Sequence, residues 1–559
     1  MMRASTDVFT LGHSIHMSRA LALIGTLMTL SVAVPSARQT QPFPIEETTI
    51  AAAHDAMRDG RLTCRALVDH YLRRIAAFDR NGPAINALVL TNSRALVEAD
   101  ALDARFKQAG PTGPLHCVPM IVKDNFETIG LQSANGSLAL EGFVSSKDAF
   151  QVKRIKEAGA IVLAKSNMAE WAFSPYETVN SILPGYSKNP YALDRVTAGS
   201  SGGTAAAVAA NLGLIGLGSD TGNSIRGPSS HQALVGIRST MGLTSRAGVM
   251  PLNLLADIAG PMGRTVEDVA TVFQVIAGDD ADDPATAAAR GRPRVDYRAA
   301  LQRDGLKGAR IGVLRQAYVR STAGPSAAGV TAPADTTDPE IVGVFMQAVA
   351  DLERAGATIV NPATIDGLEA IRRPQGGAPC MGFKYDINRY LASHGDRVPV
   401  KTLAEVIKSG RFHPSVQRRL EQAEQGPENG PDTPECHAEM AYRDQMRQAV
   451  LRTMETLKLD AFVYPTWSNP PRLIGDLNSP HGDNSQFFSP TTGFPAIQVP
   501  MGYTRGAQLP AGMTIYGPAV GRSDVVQARL RLRASDAAST APGERATATV
   551  GGCPVRHEH

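Results

Sequence analysis

Residues 197–238 read TAGSSGGTAAAVAANLGLIGLGSDTGNSIRGPSSHQALVGIR. Serines and glycines crowd two turns, and between these turns an alanine-rich segment (204–211) predicts a packed helix and an apolar segment (212–217) predicts a buried strand. Glycines at this density indicate that the backbone approaches another group closely. Exposed N–H groups in such turns can hold the oxyanion of a tetrahedral intermediate, and a serine beside them can attack a carbonyl carbon. The stretch therefore predicts a site for acyl transfer.

The sequence on either side of this stretch alternates between helical and strand patterns. Apolar residues at helical spacing predict two surface helices near the start, over 50–78 and 95–106, and a further helix over 150–158. Short apolar segments predict strands at 119–122, 161–164, 310–314 and 358–360. Alternation of this kind is typical of an α/β fold.

No clear linker interrupts this pattern, so we expect one large domain over residues 38–517. Within it, two segments rich in small and polar residues, 281–294 and 321–338, predict exposed loops. The last segment, 518–559, mixes Arg, Ala, Ser, Thr and Gly with little apolar periodicity. We therefore expect it to be a poorly ordered C-terminal tail.

Composition excludes several classes of protein. The 56 basic and 53 acidic residues are interspersed, which argues against a nucleic-acid partner. Five cysteines are far apart and form no CxxC pair, so we expect no disulfide framework in these 559 residues. No HExxH motif is present, and a metal site is not expected.

The N-terminus is typical of a secretory signal, which we place at residues 1–37. Arg19 precedes an apolar run, 20–34, and small residues follow before a polar segment. Met17 is the expected start of translation, because the stretch before it is longer than a signal needs. The run is short for a stable membrane span, although an uncleaved anchor or a buried helix remains an alternative. The pattern therefore predicts an exported protein, periplasmic or secreted.

The two serine- and glycine-rich turns, GSSGG (199–203) and GSDTGNSIR (218–226), resemble those of the amidase signature family of serine hydrolases. The resemblance spans roughly residues 50–517. Other blocks that resemble family segments follow in the family's order: GPLHCVP (113–119), VKDN (122–125), KSNMAE (165–170), GPM (260–262), FPA (494–496) and LPAG (509–512).

This resemblance implies the fold and the reaction. The family builds a large mixed β-sheet core covered by helices on both sides. Its members hydrolyse a carboxylic amide to a carboxylate and ammonia or an amine, which for this chain implies a C–N hydrolase acting on a linear, small-molecule amide. The resemblance implies no cofactor and leaves the oligomeric state open, a homodimer included.

The resemblance also assigns a catalytic set. Ser224 is the nucleophile and Lys123 is the base. Ser200, which follows a cis peptide bond, relays the proton of Ser224 to Lys123. A serine is a weak nucleophile until a neighbour takes its proton. Lysine can do so only when neutral, and burial near Ile121 and Val122 disfavours its charged form.

The remaining assignments concern the turn around the nucleophile. By the same resemblance, the oxyanion hole consists of the backbone N–H groups of Thr221, Gly222, Asn223 and Ser224. Three residues are expected to support the turn structurally: Ser201, Asp220 and Arg226. A charge-assisted bond between Asp220 and Arg226 would pin it.

Two residues depart from the family pattern. Asn223 replaces a glycine, and because Asn tolerates the left-handed conformation the turn can survive, with a narrower or more polar pocket. Cys117 replaces another glycine, and we expect it to be an inert buried thiol. The acyl group of the substrate is not readable from the sequence, although residues 383–386 and the loop near 487–488 are expected to line the pocket.

Two short motifs in this chain also allow other interpretations. GSSGG also fits the nucleophile elbow of an α/β-hydrolase or esterase, with Ser201 as nucleophile, but the polar segment 191–198 does not resemble the strong strand that this motif requires. GAIVLAKS (159–166) comes close to a P-loop but lacks its second glycine. A catalytically impaired binding protein, or a subunit of a transamidation complex, is the remaining alternative.

Overall fold

The computed structural model describes residues 43–518, except 292–294, 303, 320–336, 372–379, 429 and 481. The predicted signal, nearly all of the predicted C-terminal tail and most of the predicted loop 321–338 lie outside these residues. The described residues, which begin at Phe43, fall into one compact unit.

Thirteen strands are found in the described residues, and eleven of them form one mixed sheet in the order β1-β3-β2-β6-β8-β7-β12-β13-β11-β9-β10. The other two, β4 and β5, pair separately. The strands are β1 (Leu88–Thr91), β2 (Pro119–Lys123), β3 (Ile161–Ser166), β4 (Lys188–Asn189), β5 (Ala192–Val196), β6 (Ile215–Asp220), β7 (Val235–Arg238), β8 (Ile258–Gly263), β9 (Arg310–Val313), β10 (Thr358–Val360), β11 (Ala461–Pro465), β12 (Ala496–Thr504) and β13 (Leu509–Tyr516).

Thirteen α-helices accompany these strands in the described part of the chain. They are α1 (Ile50–Arg58), α2 (Cys64–Phe78), α3 (Ala95–Ala109), α4 (Phe150–Glu157), α5 (Gly202–Ala209), α6 (Arg226–His231), α7 (Val266–Ile276), α8 (Pro339–Arg354), α9 (Phe383–His394), α10 (Leu403–Ser409), α11 (Pro414–Glu424), α12 (Pro434–Leu457) and α13 (Phe488–Thr492).

The sheet is covered on both faces along most of its width. Every residue of β2, β3, β6, β7, β8, β11 and β13 is buried. Because successive residues of a strand point to opposite faces, uninterrupted burial requires cover on both sides. The prediction of an α/β fold around a large mixed sheet is confirmed.

The strand order places Lys123 and the serine- and glycine-rich turn 218–226 at the carboxyl ends of two neighbouring strands. Strands β2 and β6 are parallel neighbours, with Val122 opposite Leu217. Since parallel strands end at the same edge, Lys123 at the end of β2 lies beside the last residues of β6. Helix α5, which follows the GSSGG turn, packs against β2, β6 and β8.

Three local predictions differ from the structure. The helix predicted over 50–78 is two helices, because Gly60 adopts a φ of +70° and the Thr63 hydroxyl accepts from the Ala66 N–H to begin α2. The predicted loop 281–294 contains a short 3₁₀ helix, Pro284–Ala289. The polar segment 191–198 does contain a strand, β5, although it pairs with β4 and, through Arg195, with Leu473 rather than with the central sheet.

Candidate active site

Lys123 is the last residue of β2, and its side chain is fully buried. Its Nζ lies within hydrogen-bond distance of Ser200 Oγ, at 2.7 Å, and of Ser219 Oγ, at 2.9 Å. Burial lowers the pKa of this amine to about 7, although the carboxylates of Asp220 and Asp257 act in the opposite direction. A substantial share of Lys123 is therefore neutral near pH 7.

The turn that carries Ser200 is shaped by close backbone contacts. The Gly199–Ser200 peptide bond is cis, the Gly199 N–H donates to the Pro175 carbonyl at 2.9 Å, and the Ser200 carbonyl accepts from the Ala169 N–H at 3.1 Å. A Cβ atom on Gly199 would lie 2.3 Å from the Ser174 carbonyl oxygen, so only glycine fits there. This packing fixes the Ser200 hydroxyl in front of Lys123.

Ser224 lies in the turn between β6 and α6 with 5% of its surface exposed, and it borders a cavity of about 190 Å³ that we call the main cavity. The Ser224 carbonyl accepts from the Ser201 N–H at 3.3 Å, which ties the two serine turns together. Among the described residues no hydrogen bond joins the Ser200 and Ser224 hydroxyls. The structure thus brings Lys123 and Ser200 into contact and places Ser224 at the adjoining turn.

The backbone of the Ser224 turn presents unused donors. In the part of the chain that the structure describes, the N–H groups of Gly222, Asn223 and Ser224 donate to no protein acceptor, whereas the next two N–H groups, of Ile225 and Arg226, donate to the Asp220 carboxylate at 3.2 and 3.4 Å. Clustered free N–H groups beside a cavity can stabilise a negatively charged oxygen.

Asp220 is the centre of a buried ion-pair cluster. Its carboxylate contacts Arg226 at 3.1 Å and Arg238 at 3.2 Å, and all three side chains are buried. Burial alone would raise the pKa of Asp220, but the two guanidinium groups hold it below its usual value. The cluster pins the end of β6 to the start of α6, which is the contact expected of Asp220 and Arg226, and adds Arg238 at the end of β7.

Asn223 does not use the left-handed conformation that its replacement of glycine suggested. Its Nδ2 donates to the Pro175 carbonyl at 3.3 Å, and its Oδ1 is buried without a hydrogen-bond partner. The side chain packs over Gly227, where a Cβ atom would lie 2.0 Å from Oδ1. Asn223 therefore borders the cavity while its amide is turned toward α6.

The expectation for the cysteines is wrong. Cys117 forms a disulfide with Cys64, and Cys380 forms one with Cys436. Sequence spacing could not reveal these pairs because 53 and 56 residues separate the partners, which meet only through packing. Cys117 adopts a φ of +54°, a conformation that suits the glycine found there in the family.

The main cavity has a volume of about 190 Å³ and combines apolar walls with charged groups. Its lining residues are Ala172, Phe173, Pro175, Thr221, Gly222, Asn223, Ser224, Leu252, Asn253, Ala256, Arg419, Glu439, Arg443, Gln486, Pro490 and Thr491. Residues 383–386 do not line it, contrary to expectation. Phe383 instead packs against Phe173 from behind, and Asp386 accepts from the Leu254 N–H at 2.9 Å.

The rival sites have unsuitable surroundings. Ser201 is fully buried, away from the cavity lining, and its hydroxyl donates to the Ser219 carbonyl at 3.1 Å. The P-loop-like segment forms β3, where Lys165 is buried and donates to the Ser133 hydroxyl at 2.7 Å. Neither residue is placed to bind a substrate in the main cavity.

Sequence reasoning missed three residues of the site: Ser219, Asn125 and Arg238. Ser219 and Arg238 are polar residues at the ends of buried strands, which was a usable signal because such residues need a partner. Asn125 carried no signal beyond its place in the VKDN block. Its Nδ2 donates to Ser219 Oγ at 3.0 Å.

Among the described residues, no cluster of three or more His, Cys, Asp or Glu side chains is able to hold a metal ion. The described helices include none with the length and apolar character needed to cross a membrane.

Comparisons with known proteins agree with this fold. The sequence is 33% identical over 524 residues to a probable amidase of Arabidopsis thaliana, covering 89% of this chain and 92% of that protein. It is 34% identical over 489 residues to a glutamyl-tRNA(Gln) amidotransferase subunit of Symbiobacterium thermophilum, covering 84% of this chain and 92% of that one.

Solved structures give the same result. The peptide amidase from Stenotrophomonas maltophilia superposes with a TM-score of 0.74 at 33% identity, covering 87% of this chain and 96% of that chain. An amidase family protein from Bacillus anthracis superposes with a TM-score of 0.72 at 28% identity, covering 87% and 90%. The Amidase family itself matches residues 66–525. The chain therefore belongs to the amidase family, whose signature its serine- and glycine-rich turns carry.

Proposed function

We propose that this protein hydrolyses a small carboxylic amide through an acyl-enzyme on Ser224. The observation that carries the proposal is the contact between the buried Lys123 amine and the Ser200 hydroxyl, 2.7 Å apart, next to the turn that holds Ser224 at the cavity. In the described part of the chain no ion pair joins Lys123 to a carboxylate, and a buried lysine that contacts a hydroxyl beside a cavity is suited to act as a base.

The steps follow from the proton balance. Ser224 Oγ attacks the carbonyl carbon while its proton passes to Ser200, whose own proton passes to Lys123 Nζ. The oxyanion then accepts from the N–H groups of Thr221, Gly222, Asn223 and Ser224. The proton returns through Ser200 to the leaving nitrogen, the C–N bond breaks, and water hydrolyses the acyl-enzyme by the same relay.

The relay requires Ser200 and Ser224 to come within hydrogen-bond distance during the reaction. Catalytic hydrogen bonds are often long in an empty site and shorten when the substrate binds. Neutral Lys123 is the active form, and its pKa of about 7 predicts that kcat/KM rises with pH from about 6 to 8. A rate that falls over this range would contradict the role of Lys123.

The decisive experiment measures hydrolysis of a simple aryl amide by the wild type, Ser224→Ala and Ser201→Ala. We expect Ser224→Ala to lower kcat about 1,000-fold or more and Ser201→Ala to keep most activity. Activity lost only in Ser201→Ala would favour the esterase-like alternative. A wild type that binds amides without turning them over would favour a binding protein or a subunit that needs a partner.

The cavity also limits the substrate. Arg419 brings a positive charge to its wall and stacks on Phe173 at 4.7 Å, while Glu439 and Arg443 line the cavity from helix α12. We expect neutral acyl groups of modest size to react faster than cationic ones. A screen of amides that differ only in acyl size and charge tests this expectation, with peptide amides included because a peptide amidase is among the relatives.

Export is part of the proposal. The two disulfides support it, because such bonds persist in oxidising compartments and are rare in the cytosol. Expression with residues 1–37 intact, followed by fractionation and N-terminal sequencing of the mature protein, tests it. Recovery of an unprocessed protein from the cytosol, with its cysteines reduced, would contradict export.

A further inference from the structure

The Lys123 amine has a second hydroxyl neighbour that the proposed relay does not use. Nζ lies 2.9 Å from Ser219 Oγ and 3.5 Å from the Ser219 carbonyl oxygen. Asn125 Nδ2 donates to the same Oγ at 3.0 Å. Ser219 stands on β6 and Asn125 follows the end of β2, so the two parallel strands hold this contact from both sides.

The geometry matches the bonding needs of a neutral amine, which has two N–H donors and one lone pair. A carbonyl oxygen can only accept a hydrogen bond, and Ser219 Oγ has a lone pair left for Lys123 after accepting from Asn125. Both N–H donors of the amine can therefore point at Ser219. The lone pair is then left for the Ser200 hydroxyl, which lies 2.7 Å from Nζ.

We propose that Ser219 is a positioning residue, which together with Asn125 orients the Lys123 amine so that its lone pair faces Ser200. The role rests on the proposed function, since orientation of the amine matters only if Lys123 is the base. No bond is made or broken at Ser219, and no proton leaves it.

This role has a titration signature. Ser219 Oγ also accepts from the protonated amine, and a hydrogen bond to the charged form raises a pKa. The charged groups that act on Lys123, Asp220 on β6 and Asp257 just before β8, both raise its pKa and stay in place when Ser219 is changed. Removing the Ser219 hydroxyl should therefore move the acid limb of the kcat/KM profile to lower pH.

The test compares Ser219→Ala, Ser219→Thr and a control, Ser166→Ala. The control removes a buried hydroxyl of β3 that bonds to Thr204. The Ser166 backbone lies beside Lys123 in the β2–β3 ladder, but among the described residues its hydroxyl forms no hydrogen bond with Lys123 or Ser219. We expect Ser219→Ala to lower kcat about tenfold with little change in KM and to shift the acid limb downward. Ser219→Thr should restore both, and Ser166→Ala should not move the limb. A kcat and pH profile of Ser219→Ala equal to the wild type would overturn the proposal.

Two further measurements separate the possible failures. If Ser219→Ala lacks a cooperative thermal transition, Asn125→Ala replaces it, because this variant keeps the Ser219 hydroxyl but removes the amide that holds it. An unchanged kcat in a folded Asn125→Ala would then overturn the proposal. Ser224→Ala in the same assay tests the proposed function separately. If Ser224→Ala retains activity, the acyl-enzyme assignment fails. If Ser224→Ala is inactive and Ser219→Ala has the kcat and pH profile of the wild type, only the role of Ser219 is refuted.

Discussion

Burial of Lys123 favours catalysis, because it makes the amine a base near pH 7, but it lowers the stability of the fold. Its pKa falls from an ordinary 10.5 to about 7 in the folded state because burial disfavours the charged amine. Between these two values the unfolded chain binds the proton and the folded chain does not, so the contribution of this residue to stability rises with pH from about 7 to 10. Below pH 7 both states are protonated, and the penalty of the buried charge is at its largest.

The substitution Lys123→Met should therefore abolish activity and stabilise the protein at neutral pH. We expect its advantage in the free energy of unfolding over the wild type to shrink by about 2 kcal/mol between pH 7 and pH 9. Urea denaturation of both proteins at the two pH values measures this difference. An advantage that stays constant with pH would show that the amine titrates normally in the fold.

Asn223 and Gly227 form a second pair of residues that depend on each other. A Cβ atom at position 227 would lie 2.0 Å from Asn223 Oδ1 and 2.6 Å from its Nδ2, so Gly227→Ala must displace the amide. We expect Gly227→Ala to lose about 1–3 kcal/mol of stability. Asn223→Gly combined with Gly227→Ala should recover most of that loss, and a double-mutant cycle of thermal unfolding measures the coupling. Strictly additive effects would mean that the two side chains do not meet.

At the scale of elements, Asp220 joins β6 to α6 and β7. Asp220→Asn keeps the shape of the side chain but leaves the buried guanidinium groups of Arg226 and Arg238 without a carboxylate. Breaking a buried ion pair from one side destabilises by about 3–5 kcal/mol. Chemical denaturation should show this loss, whereas the control Asp194→Asn, at an exposed pair with Arg195, should change stability by about 0.5 kcal/mol or less. Equal effects of the two substitutions would contradict the buried cluster.

At the scale of the whole molecule, the two disulfides cross-link segments that are far apart in the sequence. The Cys64–Cys117 bond ties α2 to the segment that leads into β2 and Lys123, and the Cys380–Cys436 bond ties the segment before α9 to the first turn of α12. We expect replacement of either pair by alanines to lower the free energy of unfolding by about 2–4 kcal/mol.

A reductant provides the matched control for this prediction. It should lower the melting temperature of the wild type but leave that of a variant lacking both cysteine pairs unchanged. Two results together would show that the bonds do not form: the reductant does not change the melting temperature of the wild type, and every cysteine of the unfolded protein has a free thiol.

The local sequence was enough to predict much of the fold and part of the site. Strands β2 and β3 and helices α4 and α5 follow from apolar spacing, which is a property of neighbouring residues. The contact of Lys123 with Ser200 was expected only through resemblance to a family, since 77 residues separate the two side chains. The split between α1 and α2 was not predicted, because apolar residues at helical spacing continue on both sides of Gly60 and Thr63, and only the local backbone conformation interrupts the helix.

The sequence by itself determined the α/β class, the signature turns and the residues available for chemistry, because helix and strand periods and glycine-rich turns are encoded within a few residues. Only the tertiary structure decided which residues meet. The parallel pairing of β2 with β6 set Ser219 and Asn125 around the Lys123 amine, and the packing of α2 and α12 paired the cysteines. Burial among these partners gives the amine its low pKa, and burial depends on the whole fold rather than on neighbours in the chain.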